Sequence, residues 1–366
     1  MNYIFVGCDS HDKSLVTQIA INREAAERKT FGASRSGRRK MIEFLKKKAA
    51  EQVSGARVVV AYEASGNGFI LSDELRAAGF ECHVLAPTKI ERSVKQKRNK
   101  NDERDAARLL EIVRGHYLAG NRMPSVWVPD EQTRDDREAP RTRQDLSQKA
   151  TVIRTQVQML LKRNGIEKAE GIGKGWTKAH REWLKGLSES AGAKRQGMQT
   201  TLGSLLRQLE FYEAEIARLD QALEELASTP RWKPIVDALM QEKGVGLKAA
   251  LKYATDIGDF SRFRRGRQVG AYYGLAPSSQ ESGETNDRKG HITREGSPTT
   301  RQILCQATWA RVRYDQKERE VYRRLVARNP KKKKIALVAG MRRLSVRLWH
   351  VGLAAQLNMK GEAATK

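Results

Sequence analysis

The sequence of 366 residues predicts a mixed α/β sheet domain followed by a mainly helical remainder. Three patterns carry this expectation. Short apolar runs come first with no helix between them, helices then alternate with strands, and the later segments recur with helical period.

The opening run "YIFVGC" (3–8) reads as a strand ending at Asp9, and "SLVTQIAI" (14–21) as a second strand after a short polar turn. "RKTFGAS" (28–34) fits a third. "RSGRRKMIEFLKKKAAEQV" (35–53) has Met41, Phe44 and Leu45 on one helical stripe. "ARVVVAYEASGNG" (56–68) is a buried strand with Glu63 at its carboxyl end. A helix follows from about Phe69 to Ala78, and "FECHVLAP" (80–87) is another strand.

From Asp102 to about Tyr117 the pattern turns helical, with Ala106, Leu109, Leu110 and Val113 on one face, so Asp102 and Asp105 are neighbours on its first turn. "MPSVWVPD" (123–130) is an extended connector. A long charged helix is expected over 130–163, bent or interrupted at Pro140 and closed by Asn164 and Gly165. Residues 166–198 read as irregular and basic. Leu202, Leu205, Leu209, Tyr212, Ile216, Leu219, Leu223 and Leu226 then recur at alternating spacings of 3 and 4, a coiled-coil seam. It points to assembly, with antiparallel packing on the chain's own 130–163 helix as the alternative.

Beyond it, "KGVGLKAALKYATDIGDFSRF" (243–263) places Gly-Val-Gly between two helices, a turn whose amides can meet a phosphate. A long Gly, Ser and Thr rich stretch (270–301) reads as a loop, and arginine-rich helices continue through Trp349. The expected domains are 1–163, a linker and coiled coil over 164–229, and 230–366.

Lys and Arg total 69 against 43 for Asp and Glu, a formal net charge of +26 spread along the chain. That distribution points to an extended nucleic acid. Arg38, Arg39, Lys95, Lys97, Arg98, Lys100, Arg288, Lys289 and Arg294 are candidate nucleic-acid contacts, as is the tetralysine at 331–334. No spacing of a base-reading helix or zinc finger is present. Trp127, Trp309 and Trp349 read as core. Cys8, Cys82 and Cys305 are scattered and odd in number, which suits a reduced cytoplasmic setting without structural zinc, and no apolar run is long enough for a membrane span.

Against this basic background, Asp9, Glu63, Asp102 and Asp105 stand at strand ends and at a helix start, places that converge in an α/β sheet. Singly, each has a bland role as a turn, cap or first-turn residue. Together they would repel one another unless a cation neutralised them, and oxygen donors suit Mg2+ or Mn2+. Two such ions about 4 Å apart support in-line phosphodiester displacement. His11 and His291 lie near these motifs and are read as ordinary polar residues.

"VGCD", "YEASG" and "KNDERDAARL" resemble the Asp, Glu, Asp, Asp motif of a RuvC-like, ribonuclease H fold domain, as carried by the DEDD transposases of insertion-sequence family one-ten. "GLAPSSQESG" followed by "HITREGSPTTRQIL" resembles the C-terminal transposase domain of that family, and the resemblance covers nearly the whole chain in order. It implies a recombinase that excises and inserts its own element, guided by a structured noncoding RNA of the bridge or seeker kind. It implies donor and target double-stranded DNA as partners, magnesium on the four acids, and a homodimer or dimer of dimers. The family's Ser-Gly motif falls on Ser282 and Gly283, which makes Ser282 the implied nucleophile of a covalent phosphoserine intermediate. Ser278, Ser279 and Ser297 are its competitors. A serine hydroxyl needs a base or metal to activate it, and Glu281, Asp287 and His291 are the local candidates for a base.

Rival expectations are a junction-resolving endonuclease that uses water on the same acids, and a non-catalytic RNA-binding scaffold. A kinase-like ATPase fits poorly, because "VGCDSHDKS" lacks a glycine-rich phosphate loop.

Overall fold

The computed structural model describes residues 2–52, 55–90, 102–173, 175–190, 195–280, 288–328 and 330–364. Lys95, Lys97, Arg98, Lys100 and Ser282 lie outside the described residues. The chain divides into two compact units, Met1–Pro129 and Asp130–Lys366.

In the first unit β1 (Asn2–Ser10), β2 (Ser14–Ile21) and β3 (Glu27–Gly32) form an antiparallel meander. β4 (Ala56–Glu63) adds parallel to β1, and β5 (Glu81–Leu85) parallel to β4, giving the order β3-β2-β1-β4-β5. This mixed sheet is compatible with a ribonuclease H-like fold. Alternation sends Ile4, Val6 and Cys8 of β1 to one face, where they pack with Val58, Val60 and Tyr62 of β4. α1 (Arg35–Ala50) and α2 (Ile70–Ala77) cover that face through Met41, Leu45, Leu71 and Leu75. Phe5, Val59 and Ala61 point the other way, against Leu109, Leu110 and Val113 of α3 (Asp102–Ala119). Each fully buried Val, Leu, Ile, Phe or Met among them contributes about 1.5–3 kcal/mol relative to exposure.

Arg38 of α1 is spent inside the unit. Its Nε and Nη2 reach the two carboxylate oxygens of Glu74 on α2 at 2.7 and 2.8 Å, and its Nη1 donates to the Ala33 carbonyl at 2.6 Å. A fork with three donors committed is a clamp between two helices, which leaves this guanidinium little spare capacity for a phosphate. Arg39 is exposed and pairs with Glu43, one turn away.

The second unit begins with α4 (Glu131–Asp135) and α5 (Glu138–Arg163). The expected single helix is broken at Asp136–Arg137, and Pro140 sits in the first turn of α5, where its missing N–H costs no helix bond. The break has a use. Arg137 donates from Nε to the Thr255 carbonyl at 2.7 Å and from Nη2 to the Asp256 carbonyl at 2.8 Å, while Asp136 accepts from the indole of Trp232 at 2.8 Å.

α6 (Lys178–Glu189), capped by Thr177, occupies part of the stretch expected to be irregular. α7 (Gln196–Ala227) carries the leucine seam and runs antiparallel to α5, with Arg143 to Asp220 at 2.8 Å and Arg154 to Glu213 at 2.7 Å. Ala150 and Ile153 pack on Leu209 midway, and Leu160 and Leu161 share a cluster with Leu202 at the far end. The seam thus closes on the chain's own helix.

α8 (Lys233–Met240), α9 (Leu247–Ile257), α10 (Gly266–Tyr272), α11 (Pro298–Tyr314), α12 (Gln316–Arg328) and α13 (Lys333–Ala364) form the remaining helical body. Trp232, Tyr253, Phe260, Leu304 and Trp349 belong to its core. Trp309, expected in the core, is 47% exposed and meets Tyr322 edge to face. A hairpin, β6 (Pro277–Gln280) with β7 (Arg288–Ile292), stands where the sequence reads as loop. Among the described residues no helix is long and apolar enough to cross a membrane.

Candidate active site

β1 and β4 run parallel with Cys8 opposite Tyr62, so Asp9 and Glu63 occupy the next positions on adjacent strands. Cys8 and Tyr62 face the α1 and α2 side, and alternation therefore turns Asp9 and Glu63 towards α3. α3 runs opposite to β1, which brings its first turn to the carboxyl end of that strand.

Gly7 makes this approach possible. A Cβ at Gly7 would lie 2.1 Å from the Ala106 carbonyl oxygen and 2.3 Å from the Leu110 nitrogen, so only hydrogen lets the helix backbone rest on the strand. Ala106 is thereby held beside the position two residues before Asp9. Asp105 is the residue just before Ala106, and Asp102 lies one turn back towards the N-terminus. Glu103 points elsewhere and pairs with Arg28 at 3.0 Å.

Asp9 Oδ2 and Asp102 Oδ1 converge on one atom, His11 Nε2, at 3.0 and 3.3 Å. The ligand atoms of these three residues all lie within 4.8 Å of one another. Glu63 and Asp105 stand outside that group. Asp105 is nevertheless near enough to act on Asp9, whose carboxyl is raised above the usual range. Burial is the main cause, the charges of Asp102 and Asp105 add to it, and His11 opposes it. Carboxylates strained in this way suit a hard divalent cation, which would relieve both the desolvation and the mutual repulsion. Soft donors are absent from this face of β1, since Cys8 is buried on the other side of the sheet.

Two stretches of the chain match known families. Residues 6–165 match the model for the DEDD transposases of the IS110 kind, and residues 236–323 match the model described as Transposase IS116/IS110/IS902 family. The chain is 30% identical over 326 residues to the putative transposase y4qE of Sinorhizobium fredii, covering 87% of this chain and 75% of that one. This chain belongs to the IS110 family of transposases. It is also 28% identical over 261 residues to a probable family 20 transposase of Pseudomonas aeruginosa, covering 70% of this chain and 71% of that one. The transposase for insertion sequence element IS1533 of Leptospira borgpetersenii is 25% identical over 311 residues, with 84% of each chain covered. Members of the family cut and rejoin DNA, so this transposase is an enzyme acting on DNA strands.

The DEDD match runs to residue 165, whereas packing assigns everything from Asp130 onward to the second unit. α5 therefore falls within the DEDD match and is packed with the helices that follow it.

In the second unit of the transposase, the hairpin that flanks the Ser282 segment is fastened at its base. Gly274 has φ +64, and a Cβ there would lie 2.6 Å from the Glu295 nitrogen; one at Gly296 would lie 2.1 Å from the Tyr272 carbonyl oxygen. Arg301 donates to three carbonyls at this crossing, those of Tyr273, Arg294 and Gly296, at 3.3, 3.3 and 2.5 Å. Beneath it, Asp256, 5% exposed, accepts from Lys252 at 2.5 Å and from the Thr300 hydroxyl.

Two competitors of Ser282 have occupied hydroxyls. Ser278 donates to the His291 carbonyl at 2.9 Å, and Ser297 caps α11 by accepting from the Thr300 amide at 3.3 Å. Ser279 pairs with Lys289 across the hairpin, and Gln280 with Arg288. Arg294 is exposed at the hairpin's end, at φ +58.

Proposed function

We propose that this transposase is RNA-guided, excising and inserting an insertion-sequence element with a metal site built on Asp9, Glu63, Asp102 and Asp105 and with Ser282 as nucleophile. The observation that carries the reading is the meeting of Asp9 and Asp102 at the sheet's carboxyl edge, with Asp105 pressing on the same charge. Asp9 and Asp102, with Glu63 and Asp105 beside them, would hold a Mg2+ or Mn2+ ion, which would supply charge neutralisation at a phosphodiester and at the attacking or leaving oxygen. α3 presents Asp102 and Asp105 from its N-terminus, which favours negative charge, while Asp9 and Glu63 end β1 and β4. In the cleavage step Ser282 Oγ bonds phosphorus as one sugar oxygen leaves, the serine proton being passed on to that leaving oxygen; attack by another strand's sugar hydroxyl, which gives its proton back to Oγ, reverses the step and frees the serine.

Support for Ser282 over its neighbours is the structural work already done by the hydroxyls of Ser278 and Ser297. Guidance by a structured noncoding RNA is supported by a basic chain with no base-reading motif, since sequence choice then rests on pairing. Lys95, Lys97, Arg98 and Lys100, with Arg39, Arg288, Lys289 and Arg294, supply phosphate contacts to the RNA and to donor and target DNA. Assembly as a dimer or dimer of dimers is supported by Val152, Met159 and Phe211, apolar side chains left exposed on the α5 and α7 hairpin. The protein would act in the prokaryotic cytoplasm, where the DNA is.

The test is reconstitution with the RNA transcribed from the element's flank, element-end DNA, target DNA and Mg2+. Guided insertion that needs all four supports the reading, and insertion without RNA overturns the guidance. A monomeric mass with RNA and DNA bound overturns the assembly.

A further inference from the structure

We propose that His11 is itself a ligand of the divalent cation, so that the site offers an imidazole nitrogen beside its carboxylates. The inference rests on the reading of Asp9 and Asp102 as metal ligands and adds a donor that the four-acid motif does not contain.

Two features hold His11 in place. It lies two residues beyond Asp9, on the same side of an extended chain, and its amide donates to the Ser14 carbonyl at 2.9 Å across the turn from β1 to β2. The ring is therefore carried on a tight hairpin with a short reach. Its Nε2 lies 3.0 Å from Asp9 Oδ2 and 3.3 Å from Asp102 Oδ1. Adjacent ligands of an octahedral ion with bonds of about 2.1 Å are separated by about 3.0 Å. The two spacings thus match two edges of one coordination polyhedron, and the third spacing stays within 4.8 Å.

A different role fits the same distances. A protonated ring bridging two carboxylates would occupy the place of the cation and compete with it. The two roles predict opposite effects of removing the ring. A ligand strengthens metal binding, and its loss weakens it; a competitor weakens binding, and its loss strengthens it. The ligand role also has a consequence for metal choice, because imidazole favours manganese over magnesium more than carboxylate does.

The experiment uses the full chain and Mn2+ alone, with no nucleic acid. Free Mn2+ is followed by its electron paramagnetic resonance signal, and bound Mn2+ by spin-echo modulation from a directly coordinated 14N nucleus. We expect 14N modulation in the wild type and its loss in His11→Ala and His11→Gln. Mn2+ affinity should fall by roughly tenfold or more in both variants, and Mg2+ should displace Mn2+ more readily than from the wild type. Wild-type protein that binds Mn2+ without 14N modulation overturns the proposal and needs no variant to do so. Unchanged binding in folded His11→Ala overturns it as well, and tighter binding overturns it in favour of the competing cation. Asp9→Asn separates this from the parent reading: if that variant binds Mn2+ like the wild type, the acid site itself is misassigned, whereas lost binding there with a silent His11 removes only the histidine.

Discussion

The two units carry their chemistry in different ways. In the first, the acids are part of the framework: Asp9 and Glu63 end neighbouring strands, and Asp102 and Asp105 begin a helix that rests on Gly7. In the second, the described residues that flank the Ser282 position in sequence form a hairpin, fastened at its base by Arg301 above the buried Asp256. A metal site needs donors fixed to within a fraction of an ångström, which strand register and close packing provide.

The comparison breaks most visibly in catalysis. Asp9→Asn or Asp102→Asn should lower strand cleavage by at least about 10³-fold, the scale of a lost electrostatic element in the transition state, while nucleic-acid binding measured by filter retention persists. Chelation by EDTA should do the same and be reversed by Mg2+. Equal cleavage in these variants would remove the acids from the reaction.

Next in size is the anchor. Asp256→Ala leaves Lys252, 3% exposed, without its carboxylate partner, and should destabilise the protein by about 3 kcal/mol in denaturant unfolding. Mn2+ affinity at the acid site should not change, because the residue belongs to the other unit. A parallel loss of metal binding would contradict the division of labour.

Gly7→Ala tests the opposite side. The methyl group would collide with the backbone of Ala106 and Leu110, so α3 must shift, at a cost of about 1–3 kcal/mol. The expected signature is weaker Mn2+ binding together with a lower Tm. A lower Tm with unchanged Mn2+ affinity would show that the helix start is placed by something other than this contact.

The smallest effect separates two kinds of arginine and lysine. Lys97→Ala should reduce the slope of log affinity against log salt by about 1. Arg38→Ala should leave that slope unchanged and lower stability, since its guanidinium is held by Glu74 and Ala33.

Much of the first unit is legible in the sequence. Apolar runs gave β1, β2 and β4 near their observed bounds, and the i, i+3 spacing of Asp102 and Asp105 placed them on one helix start. The meaning of Gly7 is not legible, because a glycine in an apolar strand declares its purpose only when a helix packs on it. His11 carried a readable signal, its position two residues after Asp9, but one histidine in a polar turn is usually solvated. The second unit is harder to read. Its hairpin is rich in Ser, Gly and Thr and has no apolar alternation, so pairing depends on register with a distant segment. α6 is hidden among glycines although Thr177 caps it and Trp183, Leu184 and Leu187 recur at helical spacing. The charged pattern of 130–163 likewise does not say which unit it packs with; Arg137 and Arg143 decide that through Thr255, Asp256 and Asp220.

The central claim joins the acids of one unit to a serine of the other, and a trapped adduct tests it most directly. Protein incubated with RNA, end-labelled element DNA and Mg2+ should yield a protein–DNA species that survives denaturation, disappears in Ser282→Ala and in Asp9→Asn, and persists in Ser278→Ala, Ser279→Ala and Ser297→Ala. An adduct that survives Ser282→Ala, or cleavage with no adduct in the wild type, would contradict the account and leave water or another serine as the nucleophile.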